Sequence, residues 1–265
     1  MELVEHVKEK IEDKAIFGAV TESFERKELV RVFAVKITFT DTSFKQAVLS
    51  GCYFRNCTFI RCDFTGASFK DCYLKGSSFD GCKFEYSTWE KTQLDEEFLT
   101  HCLPSQENLA RDLVRSLRVN FGQIGNYTAV NRAAAIEVKL TGLHLFNASY
   151  SQQAYYRKKE KNTGLLRLKN MAMHFQWRVL EFLWGNGEST LRVAINGVLI
   201  IVFFAMLLTG TKYNYEFWDA LWLAFLGFWG EAKILPETIK VALTVSRFVL
   251  VGLFMSILVK RLSRR

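Results

Sequence analysis

A repeat of five residues is the feature that most constrains the fold of this chain. A period of five matches neither the α-helix, with 3.6 residues per turn, nor the two-residue alternation of a β-strand. It matches a solenoid in which each pentad forms one side of a four-sided coil, with coils stacked about 4.8 Å apart. A large apolar residue recurs at every fifth position, without a gap, at Phe39, Phe44, Leu49, Phe54, Phe59, Phe64, Phe69, Leu74, Phe79, Phe84, Trp89 and Leu94.

A mostly small residue stands two positions before each large one, from Ile37 to Thr92. This small-x-Phe-x-x pattern resembles the pentapeptide-repeat family over residues 37–95, and the resemblance implies a right-handed quadrilateral β-helix. Some members of that family mimic DNA and inhibit gyrase, which requires a strongly acidic surface. We do not expect mimicry here, because the outward charges alternate in sign at Lys45, Arg55, Arg61, Lys70, Asp71, Lys75, Asp80, Lys83 and Glu85.

The repeat also places the cysteines, five of which occupy small inward positions: Cys52, Cys57, Cys62, Cys72 and Cys82. Successive cysteines fall on different sides of the coil, so we expect packing rather than metal binding or redox chemistry, since a free cysteine behaves as a small hydrophobe. Cys102 lies outside the predicted repeat and receives no role. The sequence predicts no metal and no cofactor.

The segment before the repeat, residues 1–36, shows no cleavable signal peptide, because the stretch from Met1 to Gly18 is charged throughout. We therefore expect the N-terminus to stay in the cytoplasm, where thiols remain reduced. The net charge of +8 comes from the part of the chain after position 100, which is typical of a protein held at an anionic membrane surface. No nucleic-acid motif is visible, and no nucleic-acid partner is expected.

The middle of the chain is predicted to be helical. Residues 104–160 form a helical hairpin connector, and residues 163–190 mix basic residues with Trp, Phe and Leu. This mixture favours an amphipathic helix lying in the bilayer interface. The alternative is an ordinary core helix.

Two segments, residues 191–209 and 239–259, are long and apolar enough to cross the lipid bilayer. Basic residues flank the start of the first and the end of the second. The positive-inside rule therefore predicts a multi-pass protein of the cell's inner (plasma) membrane with both termini in the cytoplasm.

The connection between the two spans contains an apolar, aromatic stretch at residues 216–226. As a helix it reaches about 16 Å, half of the hydrocarbon thickness. A backbone that ends at mid-depth must line a protein cavity, because lipid cannot satisfy its polar groups. The sequence therefore predicts an all-α pore domain over residues 191–265, with a re-entrant pore helix followed by a glycine-containing strand.

This arrangement resembles the two-transmembrane, potassium-channel-like family. Gly230-Glu231 and the following Pro236 stand where that family has Gly-Asp and a proline. The resemblance implies a homotetramer that encloses the pore. It implies a gating hinge at Gly252 and a pore or selectivity filter at Leu226, Gly227, Phe228, Trp229, Gly230 and Glu231.

The filter segment departs from the family's TVGYG signature. No threonine precedes it, and two residues rather than one separate Gly227 from Gly230. Potassium filters direct successive carbonyl groups at the ion, and glycines permit the φ values that this requires. We therefore do not expect a copy of the potassium filter.

Two charges near the pore allow alternative interpretations. Glu231 either rings the pore mouth and concentrates cations or makes a structural bond behind the filter. Arg247 lies inside the second span, where a charge is costly. It is expected to form a buried ion pair with Glu231, Asp219 or Glu216 of its own or a neighbouring subunit, and the alternative is a pore-lining arginine that favours anions.

No catalytic constellation is present, so the chain is not expected to be an enzyme. The predicted function is a tetrameric channel for ions, mainly monovalent cations, with a cytoplasmic pentapeptide-repeat domain for regulation or assembly. The alternatives are an anion-conducting channel and a membrane-tethered interaction scaffold without conduction.

Overall fold

A computed structural model of the protein describes residues 8–18, 20, 22–210, 214–232 and 234–263. The chain divides into two compact units between Tyr156 and Arg157. Its strands are β1 Lys10–Glu12, β2 Glu28–Val30, β3 Phe33–Val35, β4 Thr38–Thr40, β5 Val48–Ser50, β6 Tyr53–Arg55, β7 Thr58–Ile60, β8 Ser68–Lys70, β9 Ser78–Asp80 and β10 Thr88–Glu90. Its helices are α1 Phe98–His101, α2 Glu107–Gln123, α3 Tyr127–Tyr150, α4 Ala154–Arg157, α5 Gly164–Trp184, α6 Thr190–Gly210, α7 Phe217–Trp229 and α8 Glu237–Leu262.

The strands of the first unit stack in parallel at intervals of one coil. In the sheet that contains β2, β5, β8 and β10, Leu29 pairs with Leu49, Leu49 with Phe69, and Phe69 with Trp89. Each pairing therefore joins positions that are four pentads apart. The predicted β-solenoid is confirmed, whereas its quadrilateral cross-section and right hand stay predictions.

The centre of the solenoid is filled by the large residue of each pentad. Rings in successive coils stack face to face, with centroid separations of 5.0 Å for Phe24–Phe44, 4.7 Å for Phe44–Phe64 and 5.0 Å for Phe64–Phe84. Each buried ring contributes about 2–3 kcal/mol by leaving water. Stacking adds about 0.5–1.5 kcal/mol per pair, so the repeat itself generates the core.

The coil corners recur with the same period. The residue after a strand adopts a left-handed conformation, with φ of 52° at Arg31, 53° at Asp41 and 51° at Arg61. This conformation costs a residue with a Cβ about 1–2 kcal/mol. The packed core must offset that cost at every corner that lacks glycine.

The solenoid begins before the predicted boundary at residue 37. β1 starts at Lys10 and pairs with β2, and Phe24, Leu29 and Ala34 are buried at the five-residue spacing that precedes Phe39. The separate N-terminal segment predicted over residues 1–36 is therefore corrected where the structure describes it. The repeat was hidden because Ala34 is too small to count as a large residue in the pattern.

Helix α2 closes the last coil of the solenoid. A solenoid end exposes unpaired strand N–H and C=O groups, which invite edge-to-edge association. Three side chains on one face of α2 accept these N–H groups, and Asn120 Nδ2 also donates to the Thr92 carbonyl at 2.8 Å. The bonds run from Trp89 N to Ser116 Oγ (3.1 Å), from Lys91 N to Gln123 Oε1 (2.9 Å) and from Thr92 N to Asn120 Oδ1 (2.7 Å).

The second unit contains α5 to α8. Among the described residues, α6 and α8 are the two helices long and apolar enough to span a membrane, whereas α7 is shorter. Helices α6 and α8 extend the predicted spans at residues 191–209 and 239–259 by a few residues. Helix α5 buries no residue, and its predicted position in the bilayer interface stays a prediction.

Candidate functional site in the helical unit

Helix α7 packs on α6 and α8 through a face of small residues. Ala220, Ala224 and Gly227 are buried along this face, and the two alanines belong to a hydrophobic cluster with Leu243 of α8. A Cβ placed on Gly227 would lie 2.4 Å from Leu235 Cδ1 and 2.9 Å from Leu243 Cδ1. The absence of a side chain at Gly227 therefore lets the two leucine side chains lie directly against α7.

The opposite face of α7 is aromatic and exposed in the single chain. Trp218 is 75% exposed and Trp222 is 61% exposed, and Phe225 and Trp229 continue the same helical face. The rings of Trp222 and Phe225 stack at 5.6 Å. Helix α7 therefore has one face packed on its own chain and another that stays largely exposed among the described residues.

The end of α7 differs from the predicted filter. Leu226, Gly227, Phe228 and Trp229 belong to the last turns of the helix rather than to an extended strand, so α7 ends later than the predicted helix over residues 216–226. Glu231 N donates to the Leu226 carbonyl at 2.9 Å and Gly230 N to the Gly227 carbonyl at 3.1 Å. This is a Schellman motif, and it is closed by Gly230 with φ of 89°.

The physical reason for this correction is local. A glycine with positive φ ends a helix at a low energetic cost. The apolar residues before it bond within the helix, whereas a strand at this place would need partners that a single chain does not supply. The role of residues 226–231 in a pore stays a prediction.

Arg247 contacts a backbone carbonyl rather than Glu231. Its Nη1 donates to the Trp229 carbonyl at 2.6 Å, and its guanidinium carbon lies 5.0 Å from the centroid of the Phe248 ring. Within the described part of the chain, Arg247 makes no ion pair and Glu231 is exposed. The predicted pair is therefore not formed within the described part of the single chain, and a pair with a neighbouring subunit stays a prediction. Here the guanidinium satisfies the carboxyl end of α7, where carbonyls lack helical partners and carry partial negative charge.

Gly252 lies in the middle of α8, which continues through it from Glu237 to Leu262. The glycine is exposed, and a Cβ there would meet nothing within 4 Å. The structure therefore contains no packing reason for a glycine at this position. Its role as a gating hinge stays a prediction.

Two polar contacts in this unit were missed by the sequence analysis. The Asn196 side chain of α6 is 5% exposed and donates to the Phe182 and Leu183 carbonyls at 2.9 and 3.1 Å. Lys260, near the end of α8, pairs with Glu188 at 2.6 Å. An asparagine inside an apolar span was the available signal for the first contact, whereas the second joins two residues that are far apart in the sequence.

The buried thiols form a ladder in the solenoid. Cys62 Sγ donates to the Phe39 carbonyl at 3.4 Å and Cys82 Sγ to the Phe59 carbonyl at 3.4 Å. Cys102, which received no predicted role, continues the ladder and donates to the Phe79 carbonyl at 3.8 Å. Its spacing of one full coil from Cys82 was the signal that could have revealed it. Burial raises the pKa of the Cys102 thiol to about 12.

Metal binding has no visible site in the described ranges, where no three His, Cys, Asp or Glu residues are grouped closely enough to hold an ion. All six cysteines are free. Their contacts to backbone carbonyls are those of packed side chains.

The fold and site define a β-solenoid followed by a helical region in which two helices could span a membrane. A family model described as the pentapeptide repeat region matches residues 35–109. The chain therefore carries a pentapeptide-repeat region with a β-solenoid fold, which confirms that part of the predicted resemblance.

Two solved structures are similar to part of the chain. A pentapeptide repeat protein from the thylakoid lumen of Arabidopsis thaliana is 16% identical, with 39% of this chain and 86% of that chain covered and a TM-score of 0.18. The plasmid-mediated fluoroquinolone resistance protein QnrB1 is 14% identical, with 33% of this chain and 54% of that chain covered and a TM-score of 0.17. No curated protein matches the chain.

Proposed function

We propose that the protein is a homotetrameric ion channel of the inner (plasma) membrane that passes mainly monovalent cations. The observation that carries this proposal is that α7 is too short to span a bilayer but packs against two helices that are long enough. At 13 residues it reaches about 20 Å and is too short for a hydrocarbon core of about 30 Å. It nevertheless packs closely between two helices of spanning length.

The exposed aromatic face of α7 supports the inference of several subunits. Trp218, Trp222 and Trp229 would be covered by neighbouring copies around a central axis. One chain with two spans and a short helix cannot enclose a pore. Four copies are the arrangement of the potassium-channel-like proteins that the sequence of this region resembles.

Cation preference is supported by the carboxyl end of α7. The end of a helix carries a partial negative charge, and Glu231 adds a carboxylate at the same place. In a ring of four copies these groups would raise the local concentration of cations. Arg247 opposes this effect, because its guanidinium contacts the Trp229 carbonyl at 2.6 Å.

Ion flux into liposomes containing the purified full-length chain tests the proposal. We expect potassium flux, and a reversal potential in asymmetric KCl that indicates a preference for cations. Glu231→Gln is expected to reduce that preference, most strongly at low salt, where screening is weak. Glu237→Gln, which removes an exposed carboxylate from the first turn of α8, is the matched control and should leave the preference unchanged.

Two other outcomes correspond to the alternatives. Absence of flux from correctly assembled protein would favour a membrane-tethered scaffold, for which the helical conformation of Leu226–Trp229 is the supporting observation. Chloride preference that disappears in Arg247→Gln would favour an anion channel, for which the missing ion pair of Arg247 is the supporting observation. Either result would contradict cation conduction.

A second interpretation of Glu231 in the proposed tetramer is an ion pair with Arg247 of a neighbouring copy. In that case Glu231→Gln would destabilise the assembly by leaving a charge unpaired. Glu231→Gln combined with Arg247→Gln would then restore assembly. If Glu231 faces ions instead, the double variant restores nothing and Glu231→Gln alone alters ion preference.

A further inference from the structure

One face of the solenoid carries a column of stacked aromatic side chains. Phe33 pairs with Tyr53 in the next coil, and Tyr53 with Tyr73 in the one after. The ring centroids are 5.3 Å apart at an interplanar angle of 4° for the first pair, and 4.8 Å apart at 16° for the second. Phe33 is 45% exposed. These three residues are the aromatic column.

A second column runs beside the first on the same face. Val35 pairs with Arg55, and Lys75 follows Tyr73 as Arg55 follows Tyr53. Residues two apart on a strand point to the same side. Arg55 and Lys75 are exposed, and neither makes an ion pair or side-chain hydrogen bond within the part of the chain that the structure describes. We call Arg55 and Lys75 the basic column.

Some surface charges of the solenoid are paired within the chain. Arg31 contacts Asp13 at 2.7 Å and Arg61 contacts Asp41 at 2.6 Å. Arg55 and Lys75 have no such partner among the described residues, and what sets them apart from the other lysines and arginines is that they lie beside the aromatic column. The basic column is not visible in the sequence, where charges of both signs follow one another. Only the solenoid brings residues that are one full coil apart onto the same face.

The chemistry of both columns favours negatively charged groups. The rings cover one another's faces, so the outer surface of the column consists of ring edges, which carry partial positive charge. The tyrosine hydroxyls are hydrogen-bond donors, and Arg55 and Lys75 add full positive charges. Nucleic-acid bases bind aromatic residues through open ring faces, and stacking occupies both faces of Tyr53 and one face each of Phe33 and Tyr73.

We propose that this face binds an acidic amphipathic helix of a partner protein. Successive coils are about 4.8 Å apart, which is close to the helical pitch of about 5.4 Å. Residues on one side of an extended strand are farther apart, at about 6.6 Å. A helix with one carboxylate per turn therefore reaches both Arg55 and Lys75, while its apolar residues pack on the aromatic column.

A synthetic peptide provides the test. The probe is a fluorescent alanine-based helix of about five turns, with one column of Leu beside one column of Glu, and the control peptide has Gln in place of Glu. We expect the intact protein in mild detergent to bind the acidic peptide at least tenfold more tightly than the control. Equal binding of the two peptides, or no binding at low salt, would overturn the proposal.

Matched variants locate the site. Arg55→Glu with Lys75→Glu is expected to weaken binding at least tenfold. Lys45→Glu with Lys83→Glu makes the same change of charge at exposed positions of another face and should change binding less than twofold. An equal loss in both variants would mean that net charge alone attracts the peptide, and the proposed site would be wrong.

Two further measurements test whether the aromatic column takes part in binding and whether the face prefers nucleic acid. Tyr53→Leu retains an apolar side chain but removes the ring edge and the hydroxyl, so we expect binding to weaken at least threefold while the far-ultraviolet circular dichroism stays unchanged. Unaltered binding would remove the aromatic column from the site. Tighter binding of an oligothymidylate than of the acidic peptide, lost in the Arg55/Lys75 variant, would assign the face to nucleic acid instead.

Discussion

Asn120 contributes to stability through two hydrogen bonds to one backbone position. Its side chain accepts from Thr92 N at 2.7 Å and donates to the Thr92 carbonyl at 2.8 Å, and the residue is fully buried. Asn120→Ala leaves both groups unpaired, so we expect a loss of about 2–4 kcal/mol in the free energy of unfolding. Chemical denaturation of the detergent-solubilised protein measures this loss.

The control for this prediction is Asn108→Ala on the same helix. Asn108 is only partly buried and makes no side-chain hydrogen bond in the described structure. Its replacement should cost less than about 1 kcal/mol. Equal costs at the two positions would show that Asn120 does not close the solenoid end.

The Cys102 thiol is expected to lower the free energy of unfolding of the solenoid unit as the pH becomes alkaline. Burial raises the pKa of this thiol from 9.0 to about 12 in the folded protein. Below about pH 9 the thiol is protonated in both the folded and the unfolded protein, and its contribution to stability is fully present. As the pH rises toward 12, the thiol of the unfolded protein loses its proton first. The free energy of unfolding should therefore fall by up to about 1.4 kcal/mol per pH unit.

Comparison with Cys102→Ala isolates this contribution from other groups that titrate in the same range. The variant should show a shallower decline between pH 9 and 12, measured by denaturation at a series of pH values. Parallel curves for the two proteins would contradict the assigned burial of the thiol.

At the scale of elements, the packing of α7 against α8 rests on Gly227. Gly227→Ala places a methyl group against Leu235 Cδ1 and Leu243 Cδ1, at 2.4 and 2.9 Å. The two leucine side chains must shift to make room for it, at an expected cost of about 1–3 kcal/mol. A lower midpoint of thermal unfolding of the helical unit, followed by tryptophan fluorescence, would report this cost.

Gly252→Ala is the matched substitution in α8. Because nothing lies within 4 Å of the new methyl group, we expect no packing cost and a gain of about 0.5–1 kcal/mol from helix propensity. If Gly252 is a hinge, the same variant should also shift the open probability of single channels without altering ion preference. A variant that is more stable and gates normally would leave the hinge prediction without support.

At the scale of the whole molecule, the proposed channel requires four chains. The protein purified in mild detergent should have the mass of a tetramer by light scattering. Trp222→Glu, on the exposed face of α7, should shift the mass toward smaller species, because it places a charge in the expected subunit contact. Phe17→Glu is the control at an exposed aromatic position of the solenoid unit, and a wild-type monomer would contradict the pore model.

The sequence by itself determined the coil length, the core and the two long helices. These follow from local rules: each pentad fills its own part of the solenoid centre, and the length of an apolar stretch sets how far a helix reaches. Leu49, Phe69 and Trp89 could therefore be assigned to one core without coordinates. The pentapeptide resemblance depended on the same repeated pattern.

Only the tertiary structure decided features that join distant residues. The carbonyl that binds Arg247 is available because α7 ends at Gly230. The pattern of apolar residues does not predict the position at which α7 ends. Asn120 meets Thr92 because α2 folds back over the last coil, and Arg55 lies beside Lys75 because the chain returns to the same face after each coil. Hydrogen bonds and surface charge arise from such contacts, so their partners were fixed by packing rather than by local sequence.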